Sequence, residues 1–193
     1  MFKFILTVFI ISIFFLSHNV KTSADEACND YEPGYTDNLP NATSFLYDKK
    51  DPLRYSPQKA FDKKISTSWV EGKKGDGIGE KIAFPVKTLK KIKIFPGYGD
   101  KKYFKKNNRV KKASLKIYEI KRVIHHQCAS SFELGKLIKN KVLNFEDKMA
   151  YQSFDIGVTK QRSAGYAVII EILSVYRGTN WRDTCIAEIG TIE

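Results

Sequence analysis

Cysteine, histidine and arginine are scarce in this chain of 193 residues. Three cysteines (28, 128 and 185) are too few for a dense disulfide framework, and with three histidines they exclude a zinc-ribbon scaffold. There is no HExxH, no G-x-S-x-G and no catalytic-cysteine signature. His18 falls in an N-terminal apolar stretch; His125 and His126 are adjacent, so on an extended segment they point to opposite faces and cannot address one metal. Nothing nominates a carboxylate pair either, which leaves a glycan hydrolase as a distant third reading. Lys+Arg 33 against Asp+Glu 21 gives a net charge of +12, yet only six of the basic residues are arginine. A reader of phosphates or bases leans on arginine forks. The excess of lysine therefore suggests attraction to acidic surfaces or polymers and argues against nucleic acid as the partner.

What is present begins with a leader. Met1-Phe-Lys3 is followed by Phe4–Leu16, apolar apart from Thr7 and Ser12, and then by small residues at Thr22-Ser23-Ala24. This is the order of a secretory signal, too short in its apolar part to span a bilayer. The reading is a signal peptide over 1–24 and export to an extracellular, periplasmic or cell-surface location, with no membrane span in the mature chain. In such a compartment one disulfide is allowed among Cys28, Cys128 and Cys185, and the pairing stays open. Asn41-Ala42-Thr43 fits a glycosylation sequon, relevant in a eukaryotic host.

Residues 25–41 read as an irregular lead-in, and the low periodicity continues to Pro57. Strand-like runs come next, at Gly79–Val86, Leu89–Tyr98, Val110–Ile120, Tyr151–Ile156, Tyr166–Val175 and Cys185–Ile192. In Leu89-Lys-Lys-Ile92-Lys-Ile94 and Ala113-Ser-Leu115-Lys-Ile117, apolar and polar residues alternate at period two, as in half-buried antiparallel strands. Tyr166–Leu173 is almost wholly apolar and reads as a central strand. Short strands, turn punctuation and no amphipathic helix of useful length indicate one all-β antiparallel sandwich. Residues 121–150 are the least readable part, and within them Ser130–Phe145 fits either a strand pair or an excursion with a short helix.

Two loops stand out. Gly72-Lys-Lys-Gly75-Asp-Gly77-Ile-Gly79 is dense in glycine, but it leads into a strand-like run where a phosphate-binding loop needs a helix. A phosphate-binding loop is thereby excluded in favour of a sharp turn at the sandwich end. Lys101-Lys-Tyr-Phe-Lys-Lys-Asn-Asn-Arg109 interleaves bases, aromatics and amides. It reads as a solvated lysine-rich hairpin or as a ligand loop, with rings for sugar C–H faces and amides for hydroxyls.

The chain also carries a family resemblance. Tyr55-Ser-Pro-Gln-Lys-Ala-Phe-Asp62 followed by Thr67-Ser-Trp69-Val-Glu-Gly72 resembles the opening of discoidin-like (coagulation factor 5/8 type C) modules, in particular the branch called the NADase-type glycan-binding domain. Further blocks match that branch in order: Gly77-Ile-Gly-Glu80, Gly97-Tyr98, Tyr103 with Lys106–Lys112, and Ser174–Gly178 with Asp183–Ile189. The resemblance covers about residues 42–192. It implies a galactose-binding-like jelly roll that binds carbohydrate through loops at one end, without catalysis, on a partner such as a host surface or extracellular matrix component. It also implies a structural calcium ion held by Asp62, Thr67 and Glu188. Lys63 and Lys64 replace the family's Gly and Asn or Asp beside that site and weigh against the ion. The alternative is that Asp62 caps a turn and Glu188 pairs with a lysine.

Four loops supply the expected glycan site: Trp69 and Glu71; Tyr98 and Tyr103; Asn107, Asn108 and Arg109; and Tyr176, Arg177 and Asp183. Tyr98, Tyr103, Asn107 and Tyr176 are the expected contacts, with Glu71, Arg109 and Asp183 as polar partners. Trp69 is as readily a core residue, and Arg109 as readily a loop anchor. The competing function, from another class, is a surface adhesin or toxin-like factor that grips a host protein or anionic polymer through its lysines.

Overall fold

The alternating runs become strands whose apolar sides share one interior. The computed structural model describes residues 40–125 and 130–192, with side chains placed except at 124–125 and 130–131. The leader, Cys28, Cys128, His126 and nearly all of the lead-in lie outside the described residues. β1 (Asn41–Ala42), β2 (Trp69–Val70), β3 (Lys81–Val86), β5 (Asn108–His125), β6 (Ser130–Asn144), β8 (Tyr166–Tyr176) and β9 (Thr184–Ile186) form one sheet. Its order is β1-β3-β8-β5-β9-β2, with β6 also paired to β5. β4 (Leu89–Phe95), β7 (Gln152–Val158) and β10 (Glu188–Ile192) form the second sheet in the order β10-β4-β7. All pairings are antiparallel except the short parallel contact of β5 with β9. The expected sandwich is the fold observed.

Period two decides which side of each strand is buried. In β3, Ile82, Phe84 and Val86 are buried while Lys81, Ala83 and Pro85 are partly exposed. In β4 the buried set is Leu89, Ile92, Ile94 and Phe95, with the lysines outside. Between the sheets these residues meet Leu115 and Ile117 of β5, Ile156 of β7, Ile170 and Ile172 of β8 and Ile186 of β9. Each such side chain contributes roughly 1.5–3 kcal/mol by leaving water. β8 lies between β3 and β5, which is why its sequence is apolar nearly throughout.

Residues 130–144, ambiguous in sequence, form a single long strand. β6 pairs with β5 from Lys112↔Asn144 to His125↔Ser130, with register shifts near 117–122. Those irregularities break the alternation and conceal the strand. β5 pairs with β8 only as far as Glu119, so the far part of β5 and the start of β6 continue beyond the sandwich as a two-stranded ribbon.

Among the described residues helix is confined to a 3₁₀ turn at Pro57–Ala60 and α1 (Lys101–Phe104). Asp100 caps α1 by accepting the Lys102 N–H at 2.7 Å, the usual role of an aspartate at that position. The basic segment between β4 and β5 is thus a capped helical turn, whereas the sequence suggested a hairpin loop. The ends of β4 and β8 and the starts of β5 and β9 lie together, and their loops crowd that end of the sandwich.

Candidate functional site

Loop 177–183 is laced to loop 105–108 through main-chain groups. The N–H groups of Thr179, Asn180 and Trp181 donate to the carbonyls of Lys105 and Lys106, at 2.9–3.1 Å. Gly178 permits the approach, since a Cβ there would lie 2.3 Å from the Lys106 carbonyl oxygen. Asn108, fully buried, finishes the junction: its Oδ1 accepts Gly178 N–H at 2.7 Å, and its Nδ2 donates to the Arg182 carbonyl at 2.7 Å and to Asp76 Oδ1 at 3.2 Å. Asp76 also receives Arg182 through two bonds (2.9 and 3.0 Å) and Arg177 at 3.2 Å. The Arg182 contacts hold its carboxyl down, at about 2.

Beneath this junction Glu71 is completely buried, accepting Thr184 N–H at 3.0 Å and Lys73 N–H at 2.8 Å. Burial pushes its carboxyl up to about 7. The glycine-rich loop folds over it: Gly77 has φ 66°, and a Cβ there would stand 2.5 Å from Glu71 Cδ. Arg109, also buried, forms a fork on Asp147 (3.0 and 2.8 Å) and donates to the carbonyls of Asn107 and Arg177, both at 2.9 Å. That fork, with Lys105, keeps the Asp147 carboxyl below its ordinary range.

The expected site residues thus separate into two groups. Trp69 packs in the core, its Nε1–H donating to the Ser44 carbonyl at 3.0 Å. Trp69, Glu71, Asn108 and Arg109 are buried and hydrogen-bonded within the protein, which favours the core reading of Trp69 and the loop-anchor reading of Arg109 and places Glu71 and Asn108 among the supports of the loops. Asn107 is also buried, its amide spent on the Tyr103 carbonyl at 3.1 Å. Tyr176 binds the Phe145 carbonyl through its hydroxyl (2.9 Å), with the Lys111 ammonium over its ring. Asp183 is partly exposed, and its carbonyl serves the Asn108 N–H.

What faces solvent is a row of rings. Tyr98 and Tyr103 stand edge to face with centroids 5.7 Å apart, and Tyr103 meets Trp181 at 6.1 Å. Trp181 is 42% exposed and was not among the expected contacts. The sequence did contain a signal: a tryptophan amid Thr-Asn and Arg-Asp, in no alternating run, has no core face to fill. Lys106 Nζ lies near both rings, 5.9 Å from the Tyr103 centroid and 6.0 Å from that of Trp181, and Lys102 Nζ lies 5.4 Å from Tyr103.

A second cluster ties loop 62–67 to β10. The Thr67 hydroxyl lies 2.9 and 2.8 Å from the two Asp62 oxygens, and Asp62 Oδ1 accepts Lys64 N–H at 3.0 Å, as a turn cap does. Glu188 is buried, with the backbone of Lys63, Lys64 and Ile189 nearby. Its Oε2 nevertheless has no hydrogen-bond partner. Burial, with neighbouring Asp62, raises its carboxyl to about 7. Two carboxylates, one of them with an orphaned oxygen, and a hydroxyl are a donor set of the kind that fits a hard cation. Lys63 and Lys64 are exposed, with their backbone N–H groups turned to this cluster. Among the described residues no group of three or more His, Cys, Asp and Glu side chains comes together.

A two-sheet antiparallel sandwich with strand ends and loops gathered in this way is a galactose-binding-like fold of the F5/8 type C class. The chain belongs to the family of NAD glycohydrolase translocation F5/8 type C domains, which it matches over residues 30–191. Among solved structures it is similar to the family 32 CBM of C. perfringens NanJ in complex with galactose, with a TM-score of 0.52 and 16% identity over 81% of this chain and 94% of that one. It is also similar to part of a Ruminococcus gnavus GH29 fucosidase in complex with fucose, with a TM-score of 0.50 and 12% identity over 83% of this chain and 26% of that one. At these identities the likeness is one of fold. No curated protein matches the chain. No helix among the described residues is long and apolar enough to cross a membrane.

Proposed function

We propose that this protein is an exported, non-catalytic carbohydrate-binding module whose ligand stacks on the row Tyr98–Tyr103–Trp181. The observation that carries the reading is that row: three adjoining rings, partly open to solvent, set on two loops that are laced together. A sugar offers apolar C–H patches on its faces and hydroxyls on its edges, so it calls for rings flanked by polar groups. Arg177, Arg182 and Asp183 supply those at the rim. The family and the galactose-bound CBM of the same fold favour carbohydrate as the ligand. The leader at 1–24 favours export.

The carboxyls support binding without cleavage. Glycoside hydrolysis needs a carboxylic acid of raised pKa facing the substrate. Asp76 and Asp147 are held as anions by arginine, and the two raised carboxyls, Glu71 and Glu188, are buried away from the aromatic row's open face, Glu71 in main-chain hydrogen bonds. At the second cluster Asp62, Thr67 and Glu188 would hold a calcium ion. When bound, it supplies positive charge between the carboxylates and fastens loop 62–67 to β10.

A glycan array with the chain from Asp25 onward tests the proposal. Binding to at least one glycan is expected, reduced by about 1–3 kcal/mol in Trp181→Ala and Tyr103→Ala. An array with no binding, or both variants binding as well as the parent, refutes it. The adhesin-like reading is favoured by the exposed Lys101, Lys102 and Lys105 on and beside α1. Strong salt dependence without competition by free sugar would select that reading.

A further inference from the structure

The aromatic row has a distinctive electrostatic setting. Each arginine around it, and Lys105 among the lysines, already has an anionic partner. Arg177 and Arg182 share Asp76, and Arg109 and Lys105 share Asp147. Asp100 spends an oxygen on the cap of α1. Among the described residues, Lys102 and Lys106 have no carboxylate within ion-pair distance. Their ammonium groups rest instead near the faces of Tyr103 and Trp181, a weak attraction at an exposed position.

Resting there, the two cations occupy the neighbourhood that a stacked sugar would take. A neutral sugar must displace them from the rings and gains nothing in exchange. A sugar with an anionic group on its edge keeps them: the apolar face lies on a ring while the ammonium moves a short way to the carboxylate or sulfate. Lys106 is placed for this, being almost equidistant from two ring centroids, so a pyranose on either ring brings its edge near the same ammonium. Charge-assisted hydrogen bonds of this kind are about twice as strong as neutral ones.

We infer that the site selects anionic sugars, bearing a carboxylate or a sulfate, with Lys102 and Lys106 as the specificity-determining residues beside the aromatic row. The inference rests on the carbohydrate-binding proposal above and narrows its ligand.

The test uses the full exported chain and probe pairs that differ only in charge: oligogalacturonate against its methyl ester, and lactosamine against its sialylated and 6-sulfated forms. In whichever skeleton binds, the charged member is expected to bind at least about ten-fold more tightly in low salt. The double variant Lys102→Met/Lys106→Met, which keeps the apolar stems, is expected to erase that advantage and to raise the neutral member's affinity, because no ammonium then has to be moved from the rings. The carboxylate and sulfate arms report which group is preferred. Equal binding of charged and neutral partners overturns the inference while the carbohydrate reading stands. Binding of no probe in either pair overturns the inference, and the glycan array then decides the carbohydrate reading. Equal affinity for a single-stranded oligonucleotide of matching charge also overturns it, in favour of general polyanion attraction.

Discussion

Stability should fall as pH rises from about 5 to 8, the reverse of what paired surface carboxylates produce. Glu71 and Glu188 each move from the ordinary 4.5 to about 7 on folding, mainly through burial. Between those values the folded chain binds more protons than the unfolded one. Both groups therefore add stability that is complete below about 4.5 and lost as pH climbs through 7. A shift of this size is on the order of 3 kcal/mol for each group. Asp76, Asp147 and Asp48 are shifted downward, so their contribution is lost only in more acidic solution and leaves this window clear. Urea unfolding at pH 5, 6, 7 and 8, without divalent ions, should give a declining free energy. Glu71→Gln should remove about half the slope. It should also lower stability by about 1–3 kcal/mol at pH 5, because a carboxamide has one acceptor oxygen where Lys73 N–H and Thr184 N–H need two, and this deficit should shrink as pH rises and the parent loses the Glu71 contribution. A flat or rising profile in the parent chain, or an undiminished slope in the variant, refutes the reasoning.

Calcium should raise the melting temperature relative to chelator and flatten the Glu188 share of the pH slope, and Glu188→Gln should abolish the rise; identical melting with calcium and chelator removes the ion. Gly77→Ala forces a side chain into positive φ and against Glu71, so chemical denaturation should report a loss of about 1–3 kcal/mol. Arg109→Met leaves Asp147 and two carbonyls without their guanidinium, and calorimetry should find a destabilisation of about 3 kcal/mol.

The sandwich was legible because strands such as Lys81–Val86 and Leu89–Phe95 declare their buried side by alternation. β6 was obscure for a physical reason: register shifts against β5 break the period, and its exposed Leu137, Ile138 and Val142 resemble core positions in sequence. In the site, residue type indicated the neighbourhood and not the role. Glu71, Asn108 and Arg109 are where a sugar-binding reading wanted them, yet burial turned all three into supports for the loops. Deciding between contact and support requires knowing which main-chain N–H and carbonyl groups lie across the chain, such as Thr184 for Glu71 or Gly178 for Asn108. Trp181 shows the converse, since its isolation in a polar loop was readable without any structure.

The lacing of residues 177–183 onto 105–108 has a consequence for kinetics. A binding surface on free loops must wait for them to close, and that step slows capture and consumes interaction energy in ordering the chain. Here the loops are already joined by main-chain hydrogen bonds and by both polar ends of Asn108. Encounter should therefore proceed in one step. Affinity differences between sugars should then appear in how long each stays, with release rates carrying the selectivity.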